Sequence, residues 1–278
     1  MNPSAPFDFR GRHLFVAGGS SGINFGVAEG FARAGANVSL MSRSLDRITA
    51  AASRLVALGA DAIGLAGDVR DPAAVQKALD AAVERFGPID VLLNGAAGNF
   101  LAKINDMSPN AFKSVVDIDL LGSFNVARLA YGHLRKPGAS IIHISTTQAF
   151  TPTPYQAHVC AAKAAVDMLS RVMAAEWGAD GIRVNSIMPG PIADTEGLNR
   201  LVPTPQGRDA MAQRVPLKRL GRTSDIAHAA MFLASEWGDF ITGAVIPVDG
   251  GLGLTGPRDF TAAGEASKQA RVAAGSGA

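Results

Sequence analysis

The segment from His13 to Arg43 constrains the fold more than any other part of the chain. An apolar run, His13-Leu14-Phe15-Val16-Ala17, leads into Gly18-Gly19-Ser20-Ser21-Gly22-Ile23-Asn24. An amphipathic run follows to Ala34, and a second apolar run, Asn37 to Met41, ends at Ser42-Arg43. The periodicity predicts strand, glycine turn, helix and strand. A turn placed where a helix begins offers free backbone N–H groups and the positive end of the helix dipole, which together hold a phosphate. Glycine is needed there because a Cβ would keep the phosphate off the backbone.

The glycine spacing is closer to TGxxxGxG than to GxGxxG, with Ala17 in place of Thr and Asn24 in place of the last Gly. Chains that bind NAD usually carry Asp or Glu roughly 20 residues past the glycines to take the ribose hydroxyls, whereas Arg there suits a 2′-phosphate. This chain has Arg43 at the strand end, no acid, and Arg47 one turn on. The pattern points to NADP(H), held by Gly18, Gly19, Ser20, Ser21, Gly22, Ile23, Arg43 and Arg47. The competing reading is of two solvated arginines at a helix start.

The 278 residues suffice for one large α/β domain. A net charge of +2 with mixed signs indicates no nucleic-acid surface. The single cysteine, Cys160, excludes an internal disulfide, and its apolar helical setting predicts a buried, inert thiol. No His/Cys cluster has ligand spacing, so no catalytic metal is expected. No run is long enough to span a bilayer, and no signal-peptide core opens the chain. The C-terminal Gly-Ser-Gly-Ala is not the peroxisomal import tripeptide, which leaves a cytoplasmic protein as the expectation.

Strand and helix patterns alternate along the whole chain. Further strands are expected at Asp61–Ala66, Ile89–Leu93, Ser140–Ile144, Ile182–Ile187 and Ala244–Val248. Helices are expected at Pro72–Phe86, Ser108–Leu134, Gln156–Trp177 and Ser224–Ala234. Continuously apolar strands alternating with helices mean a doubly wound, Rossmann-type parallel sheet covered on both faces, in a single domain. Its functional loops gather at the carboxyl ends of the strands. Residues 1–11 read as a loose arm, 194–215 as an inserted mobile lid or a plain surface loop, and 255–278 as a poorly packed tail.

At this point the pattern resembles the short-chain dehydrogenase/reductase family over almost the whole chain. The likeness rests on Gly18–Gly22, Asp68-Val69, Asn94-Gly95-Ala96-Ala97, Lys163 on its helix, Pro189-Gly190 and Asp249-Gly250-Gly251. It implies a sheet of about seven strands and a homotetramer. It also implies that Asp68, Val69 and Ala96 flank the adenosine, and that Pro189, Gly190, Pro191 and Ile192 flank the nicotinamide.

The family's catalytic set is Asn, Ser and Tyr-x-x-x-Lys, and the chain departs from it. Lys163 keeps its place, but Val159 stands where Tyr belongs, Thr146 replaces Ser and Asp119 replaces Asn. Reduction of a simple ketone needs a proton for the forming alkoxide, so the loss of Tyr counts against ordinary alcohol/ketone chemistry. One branch lacks that Tyr and still reduces: the 2,4-dienoyl-CoA reductases of the peroxisomal type. Asn94-Gly-Ala-Ala-Gly-Asn-Phe100, Ser108-Pro-Asn-Ala-Phe112, Asp117-Ile-Asp119, His158, Ala175-Glu-Trp-Gly178, Pro189-Gly-Pro-Ile192 and Thr195-Glu-Gly-Leu-Asn-Arg200 are similar to that branch.

The implied reaction is NADPH-dependent reduction of a 2,4-dienoyl-CoA to a 3-enoyl-CoA in unsaturated fatty acid degradation. Hydride adds at the far carbon, charge spreads to the thioester oxygen as a dienolate, and the α-carbon takes a proton. A delocalised dienolate demands a phenol less than an alkoxide does. By resemblance, Lys163 holds the nicotinamide ribose and helps place a proton-carrying water. Asp119 is that water's other partner or a buried cap. Thr146 donates near the thioester or caps the strand. Asn99 and Phe100 wall the acyl pocket, although Phe100 also fits plain core. Arg70, Ser108 and Arg200 contact the CoA. His158 and Tyr155 are alternative proton donors, His158 otherwise being structural. Two further readings stay open: another enoyl- or ketoacyl-thioester reductase on the same fold, and a non-catalytic NADP-binding regulator.

Overall fold

The computed structural model describes residues 7–255; residues 1–6 of the expected arm and 256–278 of the expected tail lie outside them. Seven strands form one sheet, β1 (His13–Ala17), β2 (Asn37–Ser42), β3 (Ala62–Ala66), β4 (Val91–Asn94), β5 (Ser140–Ile144), β6 (Arg183–Pro189) and β7 (Val245–Val248). Every pairing is parallel and the order is β3-β2-β1-β4-β5-β6-β7. The order reverses between β1 and β4, which is where a doubly wound sheet opens its crevice.

Each strand feeds a helix whose start is encoded locally. α1 (Gly22–Arg33) follows the glycine turn. α2 (Leu45–Val56) is capped by Ser44, whose hydroxyl accepts from the Arg47 N–H. α3 (Pro72–Phe86) combines an Asp71 cap with proline in its first turn and ends at Gly87, with φ 76°. α4 (Pro109–Val116) is capped by Ser108. The long helix expected over Ser108–Leu134 is interrupted. α4 passes into a π turn over Asp117–Leu121 before α5 (Gly122–Ala130) resumes the α spacing. α6 (Ala157–Trp177) packs beside that turn, and α9 (Thr223–Ala234) covers the other face of the sheet against α1.

The sheet separates two apolar layers. One joins Leu14, Val16, Phe31, Leu40 and Ile48 to Ile226 and Leu233; the other joins Phe15, Met41, Leu79 and Leu92 to Ile141 and Val184. Burial on both faces is why the central strands read as unbroken apolar runs. The inserted segment is more ordered than a plain loop: it carries α7 (Glu196–Leu201), capped by Thr195, and α8 (Pro205–Arg214), capped by Thr204. Its polar, proline-broken sequence hid two short capped helices. Cys160 is half-buried rather than buried.

Candidate active site

The carboxyl ends of β1, β4, β5 and β6 lie on one side of the sheet, where a doubly wound fold binds its ligands. At the first of these ends Gly18 has φ 82° and Gly22 φ 61°, conformations that favour glycine. A Cβ on Gly18 would lie 2.8 Å from Ala96 Cα, so the turn approaches the β4 loop as closely as backbone allows. A Cβ on Gly22 would meet only Thr195 of the inserted segment, in ordinary contact at 3.9 Å. The first-turn amides of α1 have no acceptor within the helix and face this space. Such a cradle fits a dinucleotide pyrophosphate.

The flanking cations sit at neighbouring strand ends. Arg43 is exposed after β2 and has no ion pair among the described residues. Arg47 reaches Glu196 of α7 at 3.3 Å. After β3, Arg70 grips Asp68 with both ends of its guanidinium, at 2.6 and 3.0 Å, and holds that carboxyl below its ordinary range. Val69 is buried against Gly122, where a Cβ would come within 2.5 Å of it. Asn125 donates to the Val69 carbonyl, and Asn94 to that of Ser123, so α5 is tied to two strand ends.

The centre of the crevice is an ion pair closed to solvent. Lys163 on α6 donates from Nζ to the Ile144 carbonyl at 2.8 Å and lies 3.6 Å from Asp119 Oδ2. Asp119 accepts the Gly98 N–H on Oδ1 at 2.7 Å, while Oδ2 has no hydrogen-bond donor. Burial pushes the Asp119 carboxyl above its usual value, and the Lys163 charge opposes the rise. The π turn brings Asp119 inward while Asp117 pairs with Lys113 on the other side. The sequence-based alternative of a buried cap does not describe Asp119: its side chain caps no helix and instead holds the β4 loop.

Around this pair the expected residues fall unevenly. Phe100 stacks on His158 with ring centroids 4.1 Å apart. Both His158 nitrogens are buried without partners, and burial lowers its pKa while Asp119 opposes the fall. Asn99 presents a buried, unpartnered Oδ1 and accepts from Arg200 on its carbonyl at 3.0 Å. Thr146 donates to Gln148 at 3.3 Å and makes no capping bond. Ser108 is spent on the Ala111 N–H at the start of α4. Tyr155 is exposed, with φ 68°. Val159, at the usual tyrosine position, is buried. Pro189, Gly190, Pro191 and Ile192 leave β6 pressed on the last turn, with Gly190 so near Asp249 that a Cβ would meet its Cα at 2.7 Å. Asp249 itself accepts the Gly251 and Gly253 amides.

Sequence reasoning missed Gln156 and Glu196. Gln156, buried at the head of α6, donates to the Phe100 carbonyl at 2.5 Å and the Tyr155 carbonyl at 3.1 Å, and so holds the loop after β4. Glu196 lies between Arg47 and Arg200, at 3.3 and 3.8 Å. Neither residue has a distinctive spacing; only the folded proximity reveals them.

A family model described as enoyl-(acyl carrier protein) reductase matches residues 17–253. The chain belongs to the short-chain dehydrogenase/reductase family. It is 43% identical over 267 residues to the peroxisomal 2,4-dienoyl-CoA reductase of Arabidopsis thaliana, covering 92% of this chain and 89% of the relative. It is 46% identical over 248 residues to the rat enzyme of the same name, covering 88% and 85%. A dehydrogenase/reductase from Sinorhizobium meliloti 1021 superposes with a TM-score of 0.82 at 32% identity, over 88% of this chain and 96% of that one. The chain is thus an oxidoreductase, and family and fold together imply a nicotinamide cofactor. The expected cytoplasmic location is overturned, because the Arabidopsis and rat relatives are peroxisomal by name. Import signals are addresses read by a receptor, so the lack of one tripeptide does not exclude import.

Proposed function

We propose that the protein reduces 2,4-dienoyl-CoA thioesters to 3-enoyl-CoA with NADPH, as a step in breakdown of unsaturated fatty acids. The observation that carries this reading is the buried Lys163–Asp119 pair beside a position from which the tyrosine has been replaced by a buried valine. Ketone reduction requires an acid able to protonate an alkoxide, and neither Val159 nor the exposed Tyr155 supplies it. A dienolate spreads its charge to the thioester oxygen and needs only a proton at the α-carbon. The names of the Arabidopsis and rat relatives support the same reaction.

Bound NADPH supplies the hydride. Gly18–Ile23 would hold its pyrophosphate, Arg43 and Arg47 its 2′-phosphate, Asp68, Val69 and Ala96 its adenosine, and Pro189–Ile192 its nicotinamide. Lys163 has donors beyond the one given to Ile144 for the nicotinamide ribose and for a water. Asp119 Oδ2, which lacks a donor, would accept from that water and orient it toward the α-carbon. His158 is disfavoured as the acid because burial lowers its pKa and its ring stacks on Phe100; it serves with Phe100 and Asn99 as a wall of the acyl pocket. Thr146 lies at the strand end facing the thioester. Arg70, Arg200 and Ser108 lie on the CoA side, Arg70 exchanging part of its bond to Asp68 for a phosphate.

A homotetramer is part of the proposal. Phe112, Leu121, Phe124, Met168 and Val172 are exposed apolar side chains on α4, the π turn, α5 and α6, the kind of surface a subunit interface covers. Light scattering of the purified protein tests it.

The reaction is tested by mixing protein, NADPH and 2,4-hexadienoyl-CoA and following nicotinamide absorbance. Turnover with the dienoyl thioester and none with a 3-ketoacyl-CoA is expected. Turnover with the ketone alone would make it a ketoreductase, and NADPH binding without turnover of any thioester would make it a regulator.

A further inference from the structure

Asn24 stands where the family turn carries its last glycine, and that glycine normally allows helix and strand to pack closely. The asparagine does not push α1 off the sheet. Its side chain is buried under the turn, and Nδ2 donates to the Gly18 carbonyl at 3.1 Å and to the Gly95 carbonyl at 2.8 Å. Both neighbours are acceptors, so the amide nitrogen, with its two hydrogens, must be the atom that faces them. The room comes from Gly95. A Cβ there would lie 2.2 Å from Asn24 Oδ1 and 2.7 Å from Asn24 Cγ. Gly18 is equally confined, its missing Cβ lying 3.1 Å from Asn24 Nδ2 and 2.8 Å from Ala96 Cα.

We infer that Asn24 and Gly95 are a size-matched pair, and that Asn24 is a positioning residue for the dinucleotide. The side chain on α1 occupies the space that a side chain at position 95 of the β4 loop would need. The gain is a cross-link. The amide joins the turn proposed to hold the pyrophosphate to the loop that continues through Ala96 to Asn99 and Phe100, so cofactor cradle and acyl wall are held in one geometry. Asn24 touches neither ligand in this account; it acts through the Gly18 and Gly95 carbonyls. The inference rests on the NADPH reading for its choice of ligand.

The test is a cycle of wild type, Asn24→Gly, Gly95→Ala and the double variant, with NADPH affinity read by nicotinamide fluorescence and kcat and KM read on the dienoyl thioester. Asn24→Gly loses two hydrogen bonds and should raise the NADPH Kd and KM about tenfold, while kcat at saturating NADPH changes by less than about twofold. Gly95→Ala alone should weaken NADPH at least as much, because its Cβ evicts the amide. In the Asn24→Gly background the same Cβ enters vacated space and should cause no further loss, a coupling that independent sites do not show. Asn24→Asp, equal in size but without the donors, should not restore affinity. If Gly95→Ala does not fold, the comparison of Asn24→Gly with the double variant decides the matter. Losses that simply add, or an Asn24→Gly protein that binds NADPH as wild type does, would overturn the inference. A wild type that binds neither NADPH nor NADH would instead overturn the cofactor reading on which it rests.

Discussion

Lys163 Nζ lies 3.6 Å from Asp119 Oδ2, and both side chains are shut off from solvent. Two opposing influences therefore set the protonation of Asp119: burial raises its pKa and the lysine lowers it. If Asp119 orients the water that delivers the proton, Asp119→Asn should lower kcat about a hundredfold with little change in NADPH affinity. It should also remove the acidic limb of the kcat–pH profile. That limb belongs above the ordinary carboxylate value, since the native carboxyl keeps its proton to higher pH. Lys163→Met removes the opposing charge and should move the Asp119 titration higher still, as read by carboxyl NMR. An acidic limb that persists in Asp119→Asn would assign it to another group.

His143 on β5 offers a stability prediction. It is fully buried with neither nitrogen partnered, and burial, helped by the Lys163 charge, lowers its pKa to about 3. The unfolded chain takes up its proton near pH 6.5, well before the native state does. The stabilisation is therefore complete above pH 6.5 and is lost as pH falls toward the native value, by about 1.4 kcal/mol per unit. Urea unfolding at pH 7 and pH 5 should show His143→Leu losing about 2 kcal/mol less than wild type over that interval. Equal losses in both proteins would mean that His143 does not drive the acid sensitivity.

The sheet was legible because its logic is local: β1, β4 and β5 are buried on both faces and so are apolar without interruption, and the turns carry their own glycines and caps. The glycine cradle was legible for the same reason, whereas Lys163 was found only by its place in the family's pattern. Asp119 was legible as a residue but not in its surroundings, since the π turn shifts the helix phase and no periodicity forecasts it. Ser108 and Arg70, CoA contacts by resemblance, also bond within the fold, one capping α4 and the other gripping Asp68, which the chain did not show. What Asn24 does depends on Gly95, 71 residues away, and nothing near Asn24 announces the space. Strand ends slipped by one or two residues, as at β4 and β6, because hydrogen-bond pairing rather than hydrophobicity ends a strand.

Arg43 carries the cofactor preference. It is exposed and without an ion pair among the described residues, and Asp68, whose carboxyl feels its charge, is already bound by Arg70. Charge-assisted bonds to a phosphate are the strong kind. Arg43→Ala should raise the KM for NADPH by about ten- to hundredfold and leave that for NADH unchanged. Parallel losses with both dinucleotides would remove the 2′-phosphate from its role.

Glu196 on α7 joins two arginines that the proposal sets at the two ends of the site, lying 3.3 Å from Arg47 and 3.8 Å from Arg200. All three side chains are more than half exposed, so these pairs contribute little to the fold. Glu196→Gln should leave stability within about 0.5 kcal/mol of wild type in urea unfolding. Its effect should fall on ligands, because the carboxylate now offsets two cations that the proposal sets against phosphates. Neutralising it should lower the KM for both NADPH and the acyl-CoA about two- to threefold at low salt, and the gain should vanish near 0.5 M salt, where the screening length is only a few ångströms. Arg200→Ala should do the reverse on the thioester side, and more with CoA than with a pantetheine thioester lacking the adenosine phosphates. A raised KM in Glu196→Gln would show that the carboxylate is needed to hold α7 over the crevice, and that the two arginines meet their phosphates only while it does.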